Sequence, residues 1–170
     1  MDNTFFKDTV LPQQQRGYRY YWEKSFECYN LTEEQLEELT KYINDQPQLW
    51  QIICYNNKLS EDFMRKHADQ LNWNAICVKQ NLSEAFMREF RNMLDWACVC
   101  QYQKLSKNFI KEFLVYMSWN LLSEYQDYSL DFVKEFKDKM VWFRVSNNKN
   151  FTNKEKNDMI GYLNNLPNRK

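Results

Sequence analysis

Two rows of like side chains recur at a fixed interval and could carry chemistry. Arg65, Arg88, Lys111 and Lys134 stand 23 residues apart. One cation per interval is what a phosphate backbone or an acidic partner would follow. Asn57, Gln80, Gln103, Gln126 and Lys149 form a second row at the same interval. A side-chain amide both donates and accepts. Such a row could read a ligand base by base, as some helical repeats read RNA, or could satisfy backbone groups at the turn between helices. The basic row also has a plain reading as a solvated face. Glu61 and Glu84 precede Arg65 and Arg88 by four residues, the spacing of a helix ion pair. Glu89, Glu112 and Glu135 sit directly beside it.

The residue types that usually do covalent or metal chemistry are sparse. His67 is the single histidine, and it fills the slot held by Phe90, Phe113 and Phe136 in sister segments. That makes it a core or boundary substitution. Two glycines cannot build a phosphate-binding loop. Five cysteines are an odd number, against a complete disulfide framework. Cys54, Cys77 and Cys100 share one repeat position, so they read as small buried thiols. Cys98 and Cys100 would point about 200° apart on a helix. No catalytic residue, metal ligand or cofactor is expected.

Both rows belong to one periodicity. The six tryptophans fall at 22, 50, 73, 96, 119 and 142, a first spacing of 28 residues and then four of 23. A fixed period of this length marks stacked repeats. Counting each Trp as position 0, apolar residues or small thiols and hydroxyls follow at positions 3 and 4, one face of a short helix. Position 10 is Thr32, Ser60, Ser83, Ser106, Ser129 and Thr152, a helix N-cap. Apolar residues at 13, 14, 17 and 21 give the buried face of a second helix, expected to be the longer. The tryptophans are expected in the core, each indole N–H bonded to a neighbouring repeat. One pair cannot bury its own apolar faces, so neighbours must stack.

The expected fold is therefore all-α: an α-solenoid of about six stacked short-helix/long-helix pairs with atypical terminal caps. It forms a single helical-repeat domain over 1–170. Residues 1–21 would cap the N-terminus. Repeats would span 22–49, 50–72, 73–95, 96–118 and 119–141, with a capping repeat at 142–170. Thr32 and Gln35 have capping-box spacing, with Leu36, Leu39 and Ile43 behind them on the inner face. The extra five residues of the first repeat, ending near Pro47, read as a longer connection before Trp50.

Charge balances at 23 basic against 23 acidic residues, so no global pull towards nucleic acid or anionic lipid is expected. No apolar run approaches the roughly 18 residues of a membrane span, and residues 1–21 lack a signal-peptide core. An intracellular protein is the expectation.

The pattern L-S-E-x-F-[MI]-[RK]-x-[FH], followed by Trp, is carried by Leu59 to Trp73, Leu82 to Trp96 and Leu105 to Trp119, the last with Lys107 for Glu. It resembles tandem helical repeats of functionally uncharacterised proteins from large DNA viruses of amoebae, and from some phages and bacteria. The resemblance covers about residues 22–163. It implies an α-solenoid interaction protein, possible in a viral setting in a host cytoplasm, and brings no catalytic residues.

One departure from the repeat suggests a contact surface. Positions 18 and 19 carry Ala68-Asp69, Arg91-Asn92 and Lys137-Asp138, but Leu114-Val115 in the fourth repeat, followed by Tyr116. Leu114, Val115 and Tyr116 are the candidate partner-binding residues. Arg65, Arg88, Lys111 and Lys134 are the alternative, an anion-binding stripe. The leading function is a non-enzymatic protein–protein interaction scaffold, through a protein partner or self-association. The alternative is a nucleic-acid-binding repeat protein.

Overall fold

A computed structural model describes residues 31–43 and 46–165. The proposed cap 1–21, Trp22 and Cys28 lie outside the described residues, as do 44, 45 and 166–170 and the side chains of Tyr42 and Leu163. Eleven α-helices, one 3-10 turn and no strand occur among the described residues, so the chain is all-α. It separates into two compact units, residues 1–82 and 83–170.

The described part of the first unit holds α1 (Glu33–Ile43), α2 (Pro47–Asn56), α3 (Glu61–Lys66) and α4 (Trp73–Lys79). Thr32 and Gln35 form the expected capping box. The Thr32 amide donates to Gln35 Oε1 at 3.1 Å, and the Gln35 amide donates to Thr32 Oγ1 at 3.3 Å. Leu36, Leu39 and Ile43 are fully buried. Pro47 corrects the expectation of a longer connection, because it is the first residue of α2. Proline's missing N–H costs nothing there, and its fixed φ suits the first helical turn.

The second unit holds α5 (Glu84–Glu89), α6 (Trp96–Tyr102), α7 (Lys107–Glu112), the 3-10 turn Leu114–Tyr116, α8 (Trp119–Tyr125), α9 (Leu130–Glu135), α10 (Trp142–Asn147) and α11 (Asn153–Asn164). Helix α8 packs against α6 on one side and α10 on the other, and α11 packs against α9 and α10.

The second helix of each middle repeat is not the longer one. Helices α3, α5, α7 and α9 have six residues each. Each starts at its serine, whose hydroxyl accepts from the phenylalanine amide three residues on, at 3.1–3.3 Å. Each ends at position 17, after which a tighter i→i+3 bond closes the next turn. Examples are Gln70 to His67 at 2.9 Å and Met93 to Phe90 at 2.8 Å. In the repeats from Trp50 and Trp73 the carbonyl at position 18 goes instead to the indole of the following tryptophan, whereas Leu114 O accepts from the Met117 amide at 3.3 Å. Trp73 Nε1 donates to Ala68 O and Trp96 Nε1 to Arg91 O, both at 3.0 Å. Positions 17 and 21 still face inwards through this tighter winding, so the apolar spacing alone looked like one continuous helix.

Aromatic rings fill each repeat. Trp96 stacks with Phe113 at 5.0 Å and Tyr116 at 4.9 Å between centroids. Trp119 lies 5.0 Å from Phe136. Trp50 is 1% exposed, yet Trp73, Trp96, Trp119 and Trp142 are half-buried. The core expectation thus holds for Trp50 and is corrected for these four. Each is the first residue of its helix.

The amide row lies buried between neighbouring repeats. Gln80 Nε2 donates to the carbonyls of Cys54 at 2.9 Å and Asn57 at 2.8 Å, while its Oε1 accepts from the Leu59 amide at 3.0 Å. Gln126 repeats the arrangement in the second unit, on Cys100 O at 2.8 Å, Gln103 O at 2.6 Å and Leu105 N at 3.2 Å. Asn57 accepts from the Leu31 amide at 2.9 Å. In the last repeat Asn148, not Lys149, takes this role, donating to Ser123 O and Gln126 O at 3.1 and 2.9 Å. Each α-helix leaves its last carbonyls without a partner of its own. The amide of the next repeat supplies one.

Gln126→Leu will strand one buried N–H and two carbonyls, at about 1–3 kcal/mol per group. Urea unfolding should show a loss of about 3–5 kcal/mol, and Gln126→Glu, which cannot donate when ionised, should do no better. Asn120→Ala on the exposed side of α8 should stay within about 0.5 kcal/mol. Trp50→Ala should cost about 3–5 kcal/mol, and Trp96→Ala measurably less in the same assay.

Candidate functional site

The basic row is occupied by acids of the same chain. In the first unit Arg65 pairs with Asp62 at 2.9 Å and Glu61 at 3.4 Å. In the second, Arg88 reaches Glu112 of the next repeat at 2.8 Å and Glu84 at 3.5 Å. Its guanidinium also lies 5.1 Å from the Phe109 ring centre. The hydrogen bond to Glu112 outweighs desolvation and holds Arg88 above its ordinary pKa. Lys111 pairs with Glu135, and Lys107 joins them at 2.6 Å. Lys134 approaches Asp131 at 3.4 Å and the Tyr162 ring at 6.0 Å. Glu84 has a further task, accepting from the Ser106 amide at 2.8 Å. Each cation of the row thus has an acid within reach.

His67 packs between Trp50 and Phe63, at ring separations of 5.3 and 4.6 Å, with its side chain 11% exposed. Its Nε2 lies 3.3 Å from Glu37 Oε1, and Lys66 holds the other carboxylate oxygen at 2.6 Å. Desolvation pushes the Glu37 pKa up, but the bonds to Lys66 and His67 together bring it below the ordinary value. This is a boundary residue with a carboxylate partner.

Cys54, Cys77 and Cys100 are buried. Burial pushes the Cys54 thiol up to about 11 and raises that of Cys100. A thiol held protonated at neutral pH is a poor nucleophile. Among the described residues no group of three His, Cys, Asp or Glu could hold a metal ion, and no helix is long and apolar enough to cross a membrane.

Gln80 and Gln126, with three protein bonds each, have their hydrogen-bonding groups turned into the backbone. Surface chemistry lies elsewhere. Leu114, Val115 and Tyr116 are not in a second helix, as the sequence suggested, but form the 3-10 turn after α7. The turn splits them. Val115 is 89% exposed, Leu114 is half-buried, and Tyr116 is 44% exposed while its ring stacks on Trp96.

Sequence reasoning passed over Phe143, which is 74% exposed on α10. The signal was present, since Gln51, Asn74, Ala97 and Asn120 hold that position elsewhere and are all exposed. It also passed over Tyr102 and Tyr125, the last residues of α6 and α8. With Gln101, Lys104, Asp127 and Asn150 they line an open depression of about 520 Å³. A counterpart in the first unit, about 420 Å³, is lined by Tyr55, Asn56, Lys58, Lys79 and Asn81 among others.

Comparison with known proteins finds no matching family model, no matching curated protein and no matching solved structure.

The Glu135 carboxyl is held below the ordinary glutamate value, mainly by its hydrogen bonds to Lys107 and Lys111. Its pairing therefore adds stability above the unfolded-state pKa, and loses it as pH falls through the lower folded value. Carboxyl NMR titration should find its midpoint below that of a free glutamate. Lys107→Gln with Lys111→Gln should return it to the ordinary range.

Proposed function

We propose that the chain is a non-catalytic scaffold of helical repeats that binds a protein partner or a second copy of itself. The observation that carries this is Val115. It stands 89% exposed where the equivalent residues are Asp69, Asn92 and Asp138. A β-branched apolar side chain standing in water adds nothing to the packing of its own repeat and favours a covered state. Exposed Phe143 adds to the apolar surface of the same unit.

The nucleic-acid reading is weaker on two counts. The cations at 88, 111 and 134 are ion-paired within the second unit. A polyanion would have to displace those carboxylates to gain its own contacts. The amides at 80 and 126 are bonded to backbone, leaving no row of free base-reading groups. The resemblance to tandem repeats of large DNA viruses fits a scaffold, and extends the proposal to an intracellular setting, a host cytoplasm if the source is viral.

The test is Val115→Lys, alone and with Leu114→Asp, followed by circular dichroism, light scattering and pull-down. Unchanged helicity with lost self-association or lost partner binding is the expected result. The single variant separates the surface from the half-buried Leu114. Unchanged mass and an unchanged partner set would overturn the reading. Salt-sensitive binding of single-stranded DNA, abolished by Arg88→Glu with Lys111→Glu, would install the alternative.

A further inference from the structure

The exposed turn at Leu114–Tyr116 is tied by two tryptophans to the equivalent turns of its neighbours. On one side the Trp96 indole donates to Arg91 O at 3.0 Å. The same ring stacks on Tyr116 at 4.9 Å between centroids, with the planes 22° apart. A single indole thus bridges the turn that holds Arg91 and the turn that holds Tyr116. On the other side Lys139 Nζ lies 5.7 Å from the centre of the Trp119 ring, and Trp119 is the third residue after Tyr116. Apolar side chains recur on this surface. Met93 holds the position of Tyr116 in the preceding repeat, and both are 44% exposed, against 89% for Val115.

The charges around this apolar centre are mostly of one sign. Positions 18 to 20 of the flanking repeats carry Arg91, Lys137 and Lys139 against Asp138. Asp95 lies beyond them at the start of α6, where it accepts from the amides of Ala97 and Cys98. Even with it the sum is positive, three cations against two acids. Arg91 and Lys139 are exposed, and neither is ion-paired with another described residue. That sets them apart from Arg88, Lys111 and Lys134, which hold acids of their own unit. A second copy docked two-fold through the same face would bring the patch against itself and set like charges opposite each other. A phosphate backbone would answer the cations but not the aliphatic centre. An acidic segment that also carries large apolar side chains answers both.

We infer that the surface centred on Val115 binds an acidic amphipathic segment of a partner protein. Its apolar side chains cover Val115, Tyr116 and Met93, and its carboxylates meet Arg91 and Lys139. This rests on the reading of Val115 as a partner surface and names the chemistry of the partner.

The probe is a peptide repeating Glu-Asp-Phe-Leu, titrated into the ¹⁵N-labelled full chain. The controls are oligothymidylate and two peptides of equal length, one repeating Lys-Arg-Phe-Leu and one repeating Glu-Asp-Gly-Ser. The expected result is shift changes at the amides of Arg91–Met93, Leu114–Tyr116 and Lys137–Lys139 with the first peptide, and much weaker ones with each control. Arg91→Glu with Lys139→Glu should weaken binding at least about tenfold, and Val115→Ser about tenfold. The same charge reversal in the first unit, Lys58→Glu with Lys79→Glu, should leave it unchanged. Circular dichroism checks the helicity of each variant, and mapping on the unaltered chain decides the matter even where one misfolds. No shift at these amides at millimolar acidic peptide would overturn the inference, as would equal binding of either control peptide or preference for oligothymidylate. If the acidic peptide fails while Val115→Lys still loses self-association or a partner, only the chemistry of the occupant falls. If Val115→Lys loses nothing either, the partner reading falls with it.

Discussion

A side-chain carboxamide that mimics a strand of backbone is the interaction on which the rest of this structure depends. The helices are six or seven residues long through most of the described chain, shorter than a helix can sustain alone in water. Their ends are so frequent that unpaired carbonyls and amides would accumulate inside the molecule. Gln80 and Gln126 each close three such groups on the preceding repeat. The apolar residues at positions 3, 4, 13 and 14 can then be buried without stranding polar backbone beside them.

The surface chemistry follows from that division of labour. Because the amides are spent inside, they are not available to a ligand. Glu84 caps Ser106 of the next repeat and pairs with Arg88, and Glu135 holds Lys107 and Lys111. The polar residues that recur most regularly therefore bind the protein to itself. The irregular positions Val115 and Phe143 stand exposed instead, and the proposed partner surface rests on them.

Much of this was legible in the residues. The Trp period, the serine caps, the capping box at Thr32 and the buried Cys54, Cys77 and Cys100 all follow from spacing, because spacing fixes which face of a short helix a residue occupies. The length of the second helix did not follow. Phe113 and Met117 turn inwards whether the intervening chain is α-helical or wound more tightly, so the pattern could not separate the two. The partner of a glutamine was equally hidden. Gln126 bonds residues 21 to 26 positions back, and only packed helices bring them within reach. At 114–116 the apolar run did not reveal the tight turn, which leaves both Val115 and Tyr116 exposed, the latter with its ring stacked on Trp96.

The carboxamide bonds also have a direction. Gln80 serves groups at 54, 57 and 59, and Gln126 serves groups at 100, 103 and 105, so closure runs from each repeat to the one made before it. A ribosome extends a chain at about 5–20 residues per second, so a 23-residue segment takes roughly one to five seconds. During that interval the backbone groups that the next glutamine bonds in the folded chain are without that partner. Vectorial synthesis and native bonding thus proceed in the same sense, and the growing chain exposes one unfinished edge at a time.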